Sequence, residues 1–138
     1  MISEDNAQSA NNRFYEAFNK SDIEAMKGVW GNDEKVTCVH PGWPPLKGLD
    51  PILNSWAGIF ENSGNMEIRI SDVQALTSGD LAWISCTEKL FTIAESGVMA
   101  SQVFATNLFH IEGDSWRMVM HHASPVPATQ GTKDVSGN

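Results

Sequence analysis

No run of 18 apolar residues occurs in the 138-residue chain, so a membrane-spanning helix is not expected. No basic cluster occurs either. Nine Lys and Arg stand against seventeen Asp and Glu, a formal net charge of −8. Such a surface repels phosphate backbones, so neither nucleic acid nor a membrane is expected as a partner. The opening MISEDNAQSANN is polar and lacks a signal-peptide pattern, which makes the cytoplasm the expected location. Cysteine is scarce. Cys38 and Cys86 both sit in apolar, strand-like runs, as buried free thiols do. G-x-G-x-x-G and P-loop patterns are missing, which leaves nucleotide binding without support, and the absence of GxSxG removes one common hydrolase motif. Without HxH, HExxH or CxxC spacing, no metal and no cofactor is expected.

What is present suits one folded domain with a real core: 41% of residues are hydrophobic and 19% charged. Ala10, Phe14, Ala17 and Phe18 recur on one helical face, predicting a helix over 7–19. Ser21 and Glu24 form a capping-box pattern that opens a second, short helix carrying Ile23, Met26 and Trp30. Residues 35–40 read as a short strand ending on His40. Asp50 and Pro51 suit the start of a third helix with a stripe of Ile52, Trp56, Ile59 and Phe60. From Met66 the period becomes two, broken near Ser71 and Asp72 as by a bulge. Long strands follow at 81–93, 98–111 and 115–123, joined by short turns that imply antiparallel neighbours. The expected fold is therefore α+β: three N-terminal helices packed in a curved, mainly antiparallel sheet that forms a cone-shaped barrel with a pocket at its open end. One domain is expected over 1–124, with a mobile tail, poor in apolar residues, over 125–138.

Three stretches carry a resemblance in this order: RFYEAFNKSDIEAMKGVW, VTCVHPGWPPLKGLDPILNSW and FATNLFHIEGDSWRMVMHHASP. Together they resemble the SnoaL-like, ketosteroid isomerase-like branch of the nuclear transport factor two-like superfamily. That group includes ketosteroid isomerases, polyketide cyclases, scytalone dehydratase and the association domain of calcium/calmodulin-dependent kinase. The resemblance covers roughly residues 7–125. It implies a cone-shaped α+β barrel, often dimeric, around an apolar cavity. It aligns His40 with the general-base position and Asn107 with the oxyanion-hole acid, while the position of the family's helix tyrosine falls on Phe14. Phe14 cannot donate a hydrogen bond. Loss of one oxyanion donor typically costs about 2.7–4 kcal/mol, so steroid isomerisation is not carried over.

Alternation along the strands gives the candidate site. Val36, Cys38 and His40 share a face, and Pro41 holds His40 extended. Val103, Ala105, Asn107, Phe109 and Ile111 share another. Trp116, Met118, Met120 and His122 share a third, which selects His122 as the inward histidine and leaves His121 and His110 in solvent. The candidate catalytic residues are therefore His40, Asn107 and His122. The expected pocket lining is Phe14, Cys38, Trp43, Trp56, Val103, Ala105, Phe109 and Met120. Glu88 shares parity with Ala82, Ile84 and Cys86, so it either faces inward as a histidine partner or stands at an exposed strand end. Trp43 either lids the cavity or packs its loop onto the third helix. His40 either works in a pocket or closes a strand. Two functions follow. One is a cofactor-independent isomerase, cyclase or dehydratase acting on a small apolar or weakly acidic molecule with His40 as base. The other is a non-catalytic ligand-binding or oligomerisation module. Phe104 and Leu108 on the opposite sheet face predict a homodimer.

Overall fold

The computed structural model describes residues 6–62 and 64–127. Helix α1 (Ala7–Asn19) is followed by α2 (Ile23–Val29), β1 (Thr37–Val39), β2 (Leu46–Lys47) and α3 (Leu49–Asn62), then by β3 (Asn65–Ser78), β4 (Leu81–Ala94), β5 (Gly97–Glu112) and β6 (Ser115–Val126). The strands form one six-stranded sheet in the order β2-β1-β6-β5-β4-β3. Among the described strands β1 and β6 pair in parallel and the other neighbouring pairs are antiparallel; Trp30 adds an isolated parallel bridge to Met118. The fold is the expected α+β class, with the short β2 added.

Local chemistry explains the boundaries. Asn6 caps α1 by accepting from the Ser9 amide at 2.9 Å. The cap of α2 is Asp22, not Ser21: Asp22 accepts from the Ala25 amide, while Ser21 sits at φ 50° in the turn between the helices. The break expected near Ser71 and Asp72 is present. The β3–β4 register shifts between Ser71 and Gln74, and Asp72 adopts φ 54°. Strand β6 continues past its expected end through Val126, paired with Gln102. The mobile tail expected from 125 onward lies, from 128 on, outside the described residues.

The helices pack against one face of the sheet. Phe14 and Phe18 from α1 and Ile52 and Trp56 from α3 meet Ala82, Ile84 and Cys86 of β4 and Ala105 and Phe109 of β5, all of them buried. The opposite face presents Leu76 at 50% exposure, Trp83 at 43% and Phe104 at 46%. One irregularity decides which histidine enters the core. Phe109 pairs with Met118, but Leu108 pairs with Met120, so Val119 is an extra residue in β6. Beyond this bulge the parity of β6 inverts.

Candidate functional site

The bulge at Val119 overturns two expectations. His122 faces outward and is exposed, and Met120 lies on the outer face opposite Leu108. His121, expected in solvent, is turned inward and is 2% exposed. It stands directly opposite Asn107 in the β5–β6 ladder, and its Nδ1 lies 2.6 Å from Asn107 Oδ1. An amide oxygen only accepts, so Nδ1 carries the proton and donates. The neutral ring's basic nitrogen is then Nε2, which meets no hydrogen-bond partner among the described residues.

Asn107 continues the chain. Its Nδ2 donates to Asn11 Oδ1 at 2.8 Å and to the Tyr15 hydroxyl at 3.1 Å. Tyr15 in turn donates to Glu88 Oε2 at 2.6 Å, with Cys86 Sγ 3.4 Å away. From His121 through Asn107 and Tyr15 to Glu88, each donor thus points the same way. All five polar residues are buried. Glu88 takes the inward alternative because its β4 parity holds. Asn11 and Tyr15 are four residues apart on α1 and face the sheet together beside Phe14.

Strand β1 is shorter than the expected 35–40, so His40 follows directly after the strand rather than ending it, and its ring is differently committed. His40, Pro41, Gly42 and Trp43 form a tight turn, closed by a 2.9 Å bond from the Trp43 amide to the His40 carbonyl, with Gly42 at φ 81°. Proline second and a left-handed glycine third are the type II pattern. The turn folds Trp43 back until its ring meets His40 edge-on at 4.8 Å, and Trp56 also meets His40 edge-on at 4.7 Å. Ser55 donates its hydroxyl to the Ile52 carbonyl at 2.7 Å, so the 2.9 Å contact between Ser55 Oγ and His40 Nε2 has the imidazole donating.

A cavity of about 290 Å³ opens between these groups. Its wall includes His40, His121 and Glu88 among the rings of Phe14, Phe18, Trp43 and Trp56 and the side chains of Ile59, Met66, Ile68 and Leu90. Of the expected lining, Phe14, Trp43 and Trp56 are on this wall. Cys38 is buried beside it, with Sγ 3.8 Å from His40 Nε2. Val103, Ala105 and Phe109 point inward but are buried away from the wall, and Asn107 lies behind His121 rather than on the wall. The volume falls just below the ~300–1,000 Å³ range of small-molecule sites and leaves room for one or two rings, not four.

Burial dominates the electrostatics. It pushes His40 down to about 4, and it pushes His121 down to about 3 with help from the nearby His40 and His122. Burial raises Glu88 to about 7, against the opposing effect of the bond from Tyr15. Tyr15 is held well above its ordinary value, first by burial and then by Glu88. The Cys38 and Cys86 thiols rise to about 12 and about 11, chiefly through burial, which makes both poor nucleophiles. Both imidazoles are thus neutral at pH 7. No cluster of three or more His, Cys, Asp or Glu is placed to hold a metal ion among the described residues. Nor is any helix among them long and apolar enough to cross a membrane.

A SnoaL-like domain model matches residues 7–129. Among solved structures, a candidate dehydratase of the NTF2-like family from Streptomyces avermitilis is 34% identical, with a TM-score of 0.79 over 86% of this chain and 93% of that one. A candidate association domain of calcium/calmodulin-dependent protein kinase type II from Thiobacillus denitrificans is 31% identical, with a TM-score of 0.81 over 89% of this chain and 97% of that one. The F-box protein SKIP8 of Arabidopsis thaliana is 26% identical over 116 residues, or 84% of this chain. The chain spans about half, 48%, of that curated relative's length.

Proposed function

We propose, from the premise that this chain belongs to the SnoaL-like domain family, that it is a cofactor-independent acid–base catalyst for a small apolar molecule bound in the cavity. The class of reaction is isomerisation, cyclisation or dehydration. One observation carries the reading: the cavity-wall imidazole of His121 is fixed as the Nδ1–H tautomer by Asn107, leaving Nε2 as the base. His40 is the second imidazole on the wall; its Nε2 donates to Ser55, which leaves Nδ1 as its basic nitrogen, and it is given a shaping and orienting role because it stands outside the hydrogen-bond chain that joins His121 to Glu88. General-base catalysis of this kind contributes typically 10²–10⁴-fold, and His121→Ala is expected to lose about that factor. The assay is turnover of a panel of small cyclic ketones and enones followed by absorbance, with binding measured separately. Binding that persists in His121→Ala with turnover at the wild-type rate would refute the assignment.

The reading as an assembly module is favoured by a different observation. Leu76, Trp83, Leu108 and Met120 are aligned in register across β3, β4, β5 and β6 on the outer face. A continuous apolar row of this kind, two of its members about half exposed, fits a second copy of the chain. The relative described as a kinase association domain supports self-association as well. A homodimer through this face is compatible with catalysis, because the cavity lies on the other side of the sheet. Trp83→Asp combined with Leu108→Asp is expected to halve the mass measured by sedimentation at tens of micromolar. An unchanged mass would exclude this face.

A further inference from the structure

The hydrogen-bond chain behind the cavity has two ends, and both return to the same cavity. His121 lies at one end and Glu88 at the other. Glu88 Oε2 accepts from Tyr15, so a proton on this carboxyl resides on Oε1, where it is available as an acid. The site therefore offers one acceptor, His121 Nε2, and one acid, Glu88, on a wall that is otherwise apolar. A matching molecule presents an acidic C–H and an acceptor oxygen a few bonds apart.

We propose that Glu88 is the second proton-transfer group of this site, and that His121 and Glu88 together enolise a small ketone of one or two rings. His121 Nε2 takes the proton from the carbon next to the carbonyl. The electrons of the broken C–H bond form the C=C bond, and the carbonyl oxygen takes the Glu88 proton. The products are a neutral enol, an imidazolium and a carboxylate, so charge and atoms balance without a co-reactant. Return of a proton to a different carbon completes an isomerisation. The proposal rests on His121 as the base.

The direction of the chain is the physical argument. An imidazolium donates from Nδ1, an amide both accepts and donates, a phenol does the same, and a carboxylate accepts. The bonds already run from His121 to Glu88 in that order, so the charge-separated state forms without turning any donor. A lone imidazolium in this cavity is disfavoured, since burial and the neighbouring His40 and His122 oppose it. Loss of the Glu88 proton supplies the opposite charge at the far end of the same chain. The titratable groups around Glu88 are Tyr15 from α1, Cys86 on its own strand, Cys38 from β1 and, on the same cavity wall, the neutral imidazoles of His40 and His121. None of them carries a positive charge that would hold Glu88 ionised beforehand.

The test is deuterium uptake at the α-carbons of 2-indanone in D₂O, read by proton NMR and corrected for the buffer rate. Wild-type protein is expected to catalyse uptake, with the rate falling as the pH passes above about 7 and Glu88 loses its proton. Glu88→Gln and Tyr15→Phe, each shown folded by circular dichroism, are each expected to lower the rate at least tenfold. If either variant does not fold, the wild-type pH profile alone decides. Uptake that His121→Ala abolishes but that is unchanged in Glu88→Gln, or that does not decline above pH 7, overturns the role of Glu88 and leaves His121 as the base. No wild-type uptake above the buffer rate overturns both.

Discussion

Asn107→Leu is expected to lose stability on the order of 3–9 kcal/mol in urea unfolding, because it leaves three buried groups without partners at about 1–3 kcal/mol each. Those groups are His121 Nδ1–H, Asn11 Oδ1 and the acceptor side of the Tyr15 hydroxyl. Leucine has the same branched outline as asparagine and is larger, so no cavity is left behind and the loss begins with the missing polar partners. Asn107 is fully buried, and solvent cannot replace the lost partners without opening the core. Asn107→Asp separates the two contributions. A protonated aspartic acid still accepts from His121 and donates one bond in place of two, so its cost should be clearly smaller. Equal losses for the two variants would show that the amide is only a space-filler. A loss below about 1 kcal/mol for leucine would show that the network contributes little to folding.

The sheet was legible because its signals are local. Alternation in β4 and β5 runs unbroken from Ala82 to Glu88 and from Val103 to Phe109, so parity predicted which side chains turn inward. Pro41 and Gly42 likewise predicted a stop close to His40, and the strand ends one residue earlier, at Val39. The candidate site was only half legible. In β6 the residues on either side of Val119 are all compatible with a continuous strand, and no glycine or proline marks the bulge. That single extra residue exchanges His121 for His122 and moves Met120 to the outer face. Tyr15 was missed for another reason. It lies about 100° around α1 from Phe14, off the stripe that defines an amphipathic helix. The curved sheet wraps α1 widely enough to bury that flank too, and only the Asn11–Tyr15 spacing of four hinted at a second inward row. Ser55 gave no sequence signal at all, since its importance depends on where α3 docks beside β1.

The same buried groups predict an acid-sensitive fold. His40 is pushed down to about 4 and His121 to about 3, from an ordinary value of 6.5. Between pH 4.5 and 6.5 the unfolded chain protonates both rings and the folded protein protonates neither. Their contribution is whole above 6.5 and is lost as the pH falls toward the folded values. Glu88 acts in the opposite sense, because burial raises it from 4.5 to about 7. The folded protein keeps a proton that the unfolded chain releases. That contribution is whole below 4.5 and is lost as the pH rises through 7. The unfolded state therefore binds a net excess of one proton in this window. Stability should climb with pH by about 1.4 kcal/mol per unit, or about 3 kcal/mol from 4.5 to 6.5. In Glu88→Gln the opposing contribution disappears and the slope should double. In His121→Asn one of the two histidines is gone and the slope should approach zero. Urea unfolding at pH 4.5, 5.5 and 6.5 reads all three slopes, and a flat or falling wild-type profile would mean that at least one of the two imidazoles is already protonated within the fold.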